Sequence, residues 1–199
     1  MISVSGKIWT EQNVNKNLVK KFRQDYGFGD ILSKLIVSRN YDASEIYGIN
    51  NHQELINIFR EDKSFQKASL ILIDSIKNNE NICILGDYDV DGSCATSLLV
   101  RYFNHINQQH FFYIPDRVKD GYGASKKLFQ KLILKKPKLI IMVDCGSNSY
   151  EAIDYLNQKN IRSIIIDHHE INHPYPRSDA IINPKKDPIK KENSLLCAT

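Results

Sequence analysis

Long apolar runs are missing from this 199-residue chain. Its apolar stretches are short and interrupted, so no transmembrane helix is expected. The opening Met1-Ile2-Ser3-Val4-Ser5 lacks the basic and apolar regions of a secretion signal. Cysteine is scarce and scattered: Cys83, Cys94, Cys145 and Cys197 form no CxxC pair and no zinc-ligand spacing. Reduced thiols in a cytoplasmic protein are the expectation. A P-loop and a GxGxxG fingerprint are both absent, which leaves triphosphate or dinucleotide binding with little support. There are no internal repeats and no low-complexity segment. A strong charge imbalance is lacking too: the net charge of +4 permits a polyanionic partner without demanding one. The 42% apolar content is enough for a core, and the length allows one or two domains.

Within those bounds the chain changes character near its first third. Residues 1–66 read as a small helical lead-in, with helical apolar spacing over Asn17–Tyr26, Ile31–Ser38 and Gln53–Ile58 and with Trp9 as a packing anchor. Lys67–Lys77 reads as a helix burying Ala68, Ile71, Leu72 and Ile76. From residue 81 short strands alternate with helices. The strands are Ile82–Leu85, His110–Ile114, Lys138–Val143 and Arg162–Ile166. The helices are Cys94–Ile106, Ser125–Lys135 with Ser125 as N-cap, and Ser149–Lys159. Leu98 and Tyr102 fall on the apolar face expected for the first of these. The pattern predicts an α/β fold, a parallel sheet with helices on both faces, over 67–199.

Three of those strands run into polar residues. The first ends in Gly86-Asp87-Tyr88-Asp89-Val90-Asp91-Gly92, the third in Asp144-Cys145-Gly146 and the fourth in Asp167-His168-His169-Glu170. Each run has an ordinary reading, as a turn, a helix cap or surface histidines. Together, at the carboxyl edge of one sheet, they point to a ligand site. Three carboxylates this close repel one another, and a divalent cation makes such a cluster stable. In an extended segment Asp89 and Asp91 leave the chain on the same side. Asp144 is placed to bridge two ions, and a nitrogen from His168 favours Mn²⁺ over Mg²⁺. Two ions ~4 Å apart activate a bridging water and stabilise displacement at phosphorus. His169 and Arg117 then hold the phosphate. The loop from Asp116 to Ser125 supplies Arg117, and its Gly121 and Gly123 let backbone approach a phosphate closely. The lysines from Lys119 to Lys138 read either as a solvated helix face or as part of a phosphate-facing surface.

The motifs GDYDVDG (86–92), IPDRVKDGYG (114–123), VDCGS (143–147), DHHE (167–170) and DAIINPK (179–185) resemble, in order and spacing, the DHH phosphoesterase superfamily and within it the RecJ-like exonucleases. The resemblance implies a metal-dependent hydrolase that degrades single-stranded DNA 5′→3′ in recombination and repair. It implies two Mn²⁺ or Mg²⁺ ions held by Asp89, Asp91, Asp144 and His168, with Asp87 as ligand or support, and phosphate contacts from His169 and Arg117. Single-strand-binding protein and a recombination helicase are its implied partners. RecJ-like proteins continue past the DHH motif with a further metal-binding aspartate, a closing domain and an OB-fold. A truncated catalytic domain, inactive or weakly active alone, is therefore expected. Two alternatives stand beside it: a DHH phosphodiesterase acting on short oligonucleotides or cyclic dinucleotides, and a non-catalytic remnant.

Overall fold

The computed structural model describes residues 4–8, 10, 12–41, 43–51, 59–121, 123–186 and 198. Trp9 and the helix expected over 53–58 lie outside them. Contacts gather into two units, Met1–Ile56 and Asn57–Thr199.

The first unit holds α1 (Lys16–Tyr26), α2 (Asp30–Arg39) and α3 (Ala43–Asn50). α1 starts where Asn15 Oδ1 accepts from the backbone N–H of Asn17 and Leu18, and it stops at Gly27, whose φ of 68° ends the helix. Phe28, Ile36 and Ile46 form a small core ringed by Phe22 and Tyr41.

The second unit runs α4 (Lys63–Lys77), β1 (Ile82–Leu85), α5 (Val90–His105), β2 (His110–Tyr113), α6 (Lys126–Leu132) with a 3-10 turn at Ile133–Lys135, β3 (Leu139–Val143), α7 (Tyr150–Gln158), β4 (Arg162–Ile166) and β5 (Ala180–Ile182). The strands form one sheet in the order β2-β1-β3-β4-β5, and every neighbouring pair is parallel. β1 and β3 are buried along their whole length, as their unbroken apolar sequences require in a sheet covered on both sides. Alternate residues serve opposite faces. Ile82, Ile84, Ile141 and Ile164 pack with Ala68 of α4 and with Ala95 and Phe103 of α5. Cys83, Leu85, Ile140, Met142 and Ile165 pack with Phe129 of α6 and Ile153 of α7. The α/β sheet with helices on both faces is thus present as the sequence predicts.

Local signals move some boundaries. α4 begins at Lys63 because Asp62 caps it, accepting from Phe65 N at 2.7 Å. α5 begins at Val90, four residues ahead of the expected Cys94, because Asp89 caps it. On α5, Leu98 and Tyr102 are 54% and 48% exposed, so the buried stripe is narrower than their spacing suggests. A fifth strand, β5, lies beyond those the sequence predicts; its three residues pair with β4 and complete the sheet. Cys83 and Cys145 are buried free thiols, Cys94 an exposed one. Among the described residues no helix is long and apolar enough to cross a membrane.

The two edges of the sheet differ. At the entry edge, Asn79, Asn107, Lys136 and Asn160 all have φ between 48° and 54°, and each sits in the turn feeding β1, β2, β3 or β4. There Arg162 reaches from β4 to Asp74 at 2.7 Å, to Ser75 Oγ at 2.9 Å and to Glu80. At the exit edge the chain moves from β1 outward to β2, then returns past β1 to β3. The connections leave in opposite directions there, and the crevice between them is where ligands bind in open α/β sheets.

Candidate metal centre

Two glycines bring the first carboxylates into that crevice. A Cβ on Gly92 would stand 2.6 Å from Asp87 N and O, and one on Gly86 would stand 2.0 Å from Thr96 Oγ1. Only hydrogen at both positions lets the start of α5 close onto the end of β1. Asp87 is buried, and its Oδ1 accepts from Tyr88 N at 2.8 Å. Asp89 is the exposed N-cap residue of α5, its Oδ1 accepting from Gly92 N at 2.9 Å. Asp91 lies in the first helical turn. The extended segment expected over 89–91 is therefore absent: only Asp89 is extended, and the helix begins at Val90. Both carboxylates still act on Asp144, and Asp91 Oδ2 lies 3.5 Å from His168 Nε2 and accepts from Ala198 N at 2.7 Å.

Asp144 ends β3 with a φ of 59°, its N–H held by Ile166 O at 2.9 Å. The left-handed bend, costly for a residue with a Cβ, turns the carboxyl into the crevice floor. Asp144 is fully buried, and neither of its oxygens accepts a hydrogen bond. His168 Nε2 lies 3.1 Å from Oδ1 without the alignment of a hydrogen bond. Burial first, then contact with the Asp89 carboxyl and the charge of Asp91, push the Asp144 pKa up to about 7. Burial likewise raises that of Asp87, against the opposing hydrogen bond from Tyr88.

Ligand atoms fall into two groups, each drawn within 4.8 Å: Asp87, Asp89 and Asp144; and Asp144, His168 and His169. Asp144 belongs to both. A buried carboxylate with unsatisfied oxygens, shared between an oxygen-only set and a set with imidazoles, suits divalent cations. The donors present therefore fit a metal pair. Among the expected site residues, the fold brings together Asp87, Asp89, Asp144, His168 and His169, with Asp91 touching the group through His168.

Asp167, the first residue of the DHHE motif, organises this side of the site. Its Oδ1 accepts from His168 N and His169 N and lies 2.7 Å from His169 Nδ1, while Oδ2 accepts from Ser147 N. Burial opposes its ionisation, but these donors outweigh it and hold the Asp167 pKa below the usual carboxylate range. For His169 burial pulls downward, and the contact with Asp167 reverses it, so the imidazole pKa is raised. Asn183, from the DAIINPK motif, donates to Ser147 Oγ at 2.8 Å and to His169 O at 3.0 Å. Ser147 and Asn183 were missed because a sequence gives no sign that residues 36 apart share a hydrogen bond. We expect Asp167→Asn to lower the titration midpoint of His169, read from its imidazole proton shifts by NMR. An unmoved midpoint would show that Asp167 does not hold the ring.

Arg117 stands on the loop after β2, its guanidinium 5.5 Å from the centre of the Tyr88 ring. Gly121 and Gly123 have φ of 82° and 69°, which the bends of that loop require. Of the lysines, Lys126 pairs with Glu151 and Lys131 with Asp120. A cleft of about 560 Å³ opens beside the cluster, with Ser125, Gly146, Ser149, Asp167 and His169 in its wall.

The profile of the DHH family, N-terminal domain, matches residues 81–199. The single-stranded-DNA-specific exonuclease RecJ of Bacillus subtilis is 30% identical over 180 residues, 89% of this chain and 23% of that protein. Its counterpart in Escherichia coli is 32% identical over 120 residues, 60% of this chain and 21% of that protein. The chain thus spans less than a quarter of the length of these curated relatives. Among solved structures, exonuclease RecJ bound to manganese is similar with a TM-score of 0.63 and 26% identity, over 71% of this chain and 35% of that one. RecJ of Thermus thermophilus in complex with Mn²⁺ shares the fold, with a TM-score of 0.65 at 20% identity over 89% of this chain and 24% of that one.

Proposed function

The chain belongs to the DHH family, and on that premise we propose that it carries the metal-binding face of an exonuclease that hydrolyses single-stranded DNA from the 5′ end. The observation that carries the reading is Asp144, buried, unsatisfied and common to both ligand groups. Asp87, Asp89 and Asp144 would hold one Mn²⁺ or Mg²⁺ ion, and Asp144 and His168 a second, with Asp91 beside His168. Bound there, the ions would lower the pKa of the attacking water and offset charge on the phosphate. His169, anchored through Nδ1 by Asp167, directs its other nitrogen to a phosphate oxygen, and its raised pKa suits it to an anion. Arg117 takes a second phosphate oxygen, and the loop of Gly121 and Gly123 carries it. A water oxygen joins phosphorus as the P–O3′ bond breaks; one water proton goes to the leaving O3′ and the other to solvent, so a 5′-mononucleotide with a 3′-hydroxyl is released and the shortened strand keeps a 5′-phosphate.

The names of the relatives and the manganese in a solved neighbour support this substrate and cofactor. We assign residues 1–66 to a helical lead-in and 67–199 to the catalytic domain. Cytoplasmic action in DNA repair and recombination, beside single-strand-binding protein and a recombination helicase, follows from the same family resemblance.

The test uses 5′-labelled single-stranded DNA with Mn²⁺. Mononucleotide release, reduced about 100-fold or more by Asp89→Ala, is the expected result; loss of an outer partner alone costs roughly 10–100-fold. Cleavage confined to a dinucleotide substrate would replace the reading with a small-substrate phosphodiesterase. Absence of turnover on both, with Mn²⁺ still bound, would leave a binding remnant.

A further inference from the structure

Arg117 is an arginine beside an acidic cluster, yet among the described residues no carboxylate pairs with it. The other charges of its loop are committed. Asp116 Oδ1 accepts from Val118 N at 2.9 Å and Lys119 N at 3.0 Å, closing a tight turn around Arg117. Asp120 Oδ2 accepts from Tyr113 OH at 2.6 Å and from Asp116 N at 3.2 Å, and its Oδ1 meets Lys131 Nζ at 2.8 Å. Asp120 N closes the ring on Asp116 O at 2.8 Å. The Asp120 side chain is only 4% exposed, so this loop is pinned to both β2 and α6. The arm ends with the Arg117 guanidinium over Tyr88, the residue between Asp87 and Asp89.

We propose that Tyr88 and Asp120 are positioning residues that hold Arg117 ready for the phosphate backbone: Asp120 fixes the loop, and the Tyr88 ring face anchors the guanidinium. A ring face attracts the cation without using its N–H donors. A carboxylate partner would occupy those donors and neutralise the charge. Tyr88 thereby couples the ligand-bearing strand end to the arm that meets the substrate, and the guanidinium fork stays free for a bidentate grip on phosphate. The inference rests on the phosphate-contact role assigned to Arg117 under the proposed function.

The test measures binding of fluorescein-labelled oligothymidylate to the whole chain by anisotropy without divalent metal, then steady-state hydrolysis with Mn²⁺. Tyr88→Leu is expected to weaken binding about three- to tenfold, the range of a surface cation–π contact plus partial loss of one phosphate contact. The loss should appear in KM, with kcat within about twofold. Tyr88→Phe, which keeps the ring face, restores binding. Asp120→Asn weakens binding without touching the acidic cluster. Tyr88→Leu combined with Arg117→Ala binds no worse than Arg117→Ala alone. Unchanged Mn²⁺ affinity in each variant shows that the fold is intact. Native-level binding by Tyr88→Leu, equal damage from Tyr88→Phe, or additive losses in the double variant would overturn the inference while leaving the nuclease reading standing. Failure of the native chain to bind oligothymidylate would overturn both.

Discussion

Replacing Asp144 with asparagine raises the thermal midpoint of the metal-free chain at pH 8 and abolishes its response to Mn²⁺. Asp144 is fully buried and its oxygens accept no hydrogen bond, and its pKa stands at about 7 because of burial, then the adjoining Asp89 carboxyl and the charge of Asp91. In the unfolded chain the same group titrates at about 3.9. The folded state therefore holds the proton more tightly. That contribution to stability is intact below about pH 4, falls away between about 4 and 7, and stays lost above about 7. At about 1.4 kcal/mol per pH unit the loss approaches about 4 kcal/mol, and relaxation of the cluster brings it to about 2–4 kcal/mol. Asparagine has no charge to desolvate, so the variant escapes the loss. In a chain of this size the gain corresponds to roughly 5–10 °C in the midpoint. Mn²⁺ offsets the same loss in the native chain, by about 2.7 kcal/mol at a hundredfold excess over its dissociation constant. Calorimetry at pH 5 and pH 8, with and without Mn²⁺, reads all of this. A variant no more stable than native at pH 8 would show that the acidic floor carries no such strain.

Gly92→Ala produces the second large effect. The new methyl would stand 2.6 Å from Asp87 N and O and 2.7 Å from its Cα. These are backbone atoms of a strand end between two packed faces, and they cannot swing aside. Overpacking of this kind costs about 3 kcal/mol. It also pushes α5 away from β1, separating Asp87 from Asp89 and weakening Mn²⁺ binding. Gly29→Ala is the internal comparison: a Cβ there meets nothing within 4 Å, and its loss at the helix start stays under about 1 kcal/mol. Urea titration of both variants tests the contrast. A Gly92→Ala chain within about 1 kcal/mol of native would mean that the close approach is not required.

What the sequence disclosed follows from how each feature is encoded. Ile82–Leu85 and Leu139–Val143 are unbroken apolar runs, and such runs between helical patterns are the mark of central parallel strands. The strand ends then located Asp87, Asp144 and His168 without any tertiary information. Helix starts were less legible, since apolar spacing begins only once a helix faces the core. Asp62 and Asp89 cap one turn earlier, and for Asp89 this puts Asp91 in a helical turn instead of an extended segment. β5 is too short for a periodicity and exists because β4 offers it an edge. Leu98 fits a helical stripe equally well exposed or buried. The bonds joining Asp167, Ser147 and Asn183 depend on three separate loops meeting, which no local pattern records.

The left-handed residues that feed β1 to β4 have a practical meaning. Asn79, Asn107, Lys136 and Asn160 mark four tight joints at the edge of the sheet opposite the acidic crevice. New chain ends, reporter insertions or affinity handles placed at these joints would enter the molecule a full strand length from its chemistry. The same scaffold can therefore be cut and rejoined at one rim while the other keeps its charge constellation undisturbed.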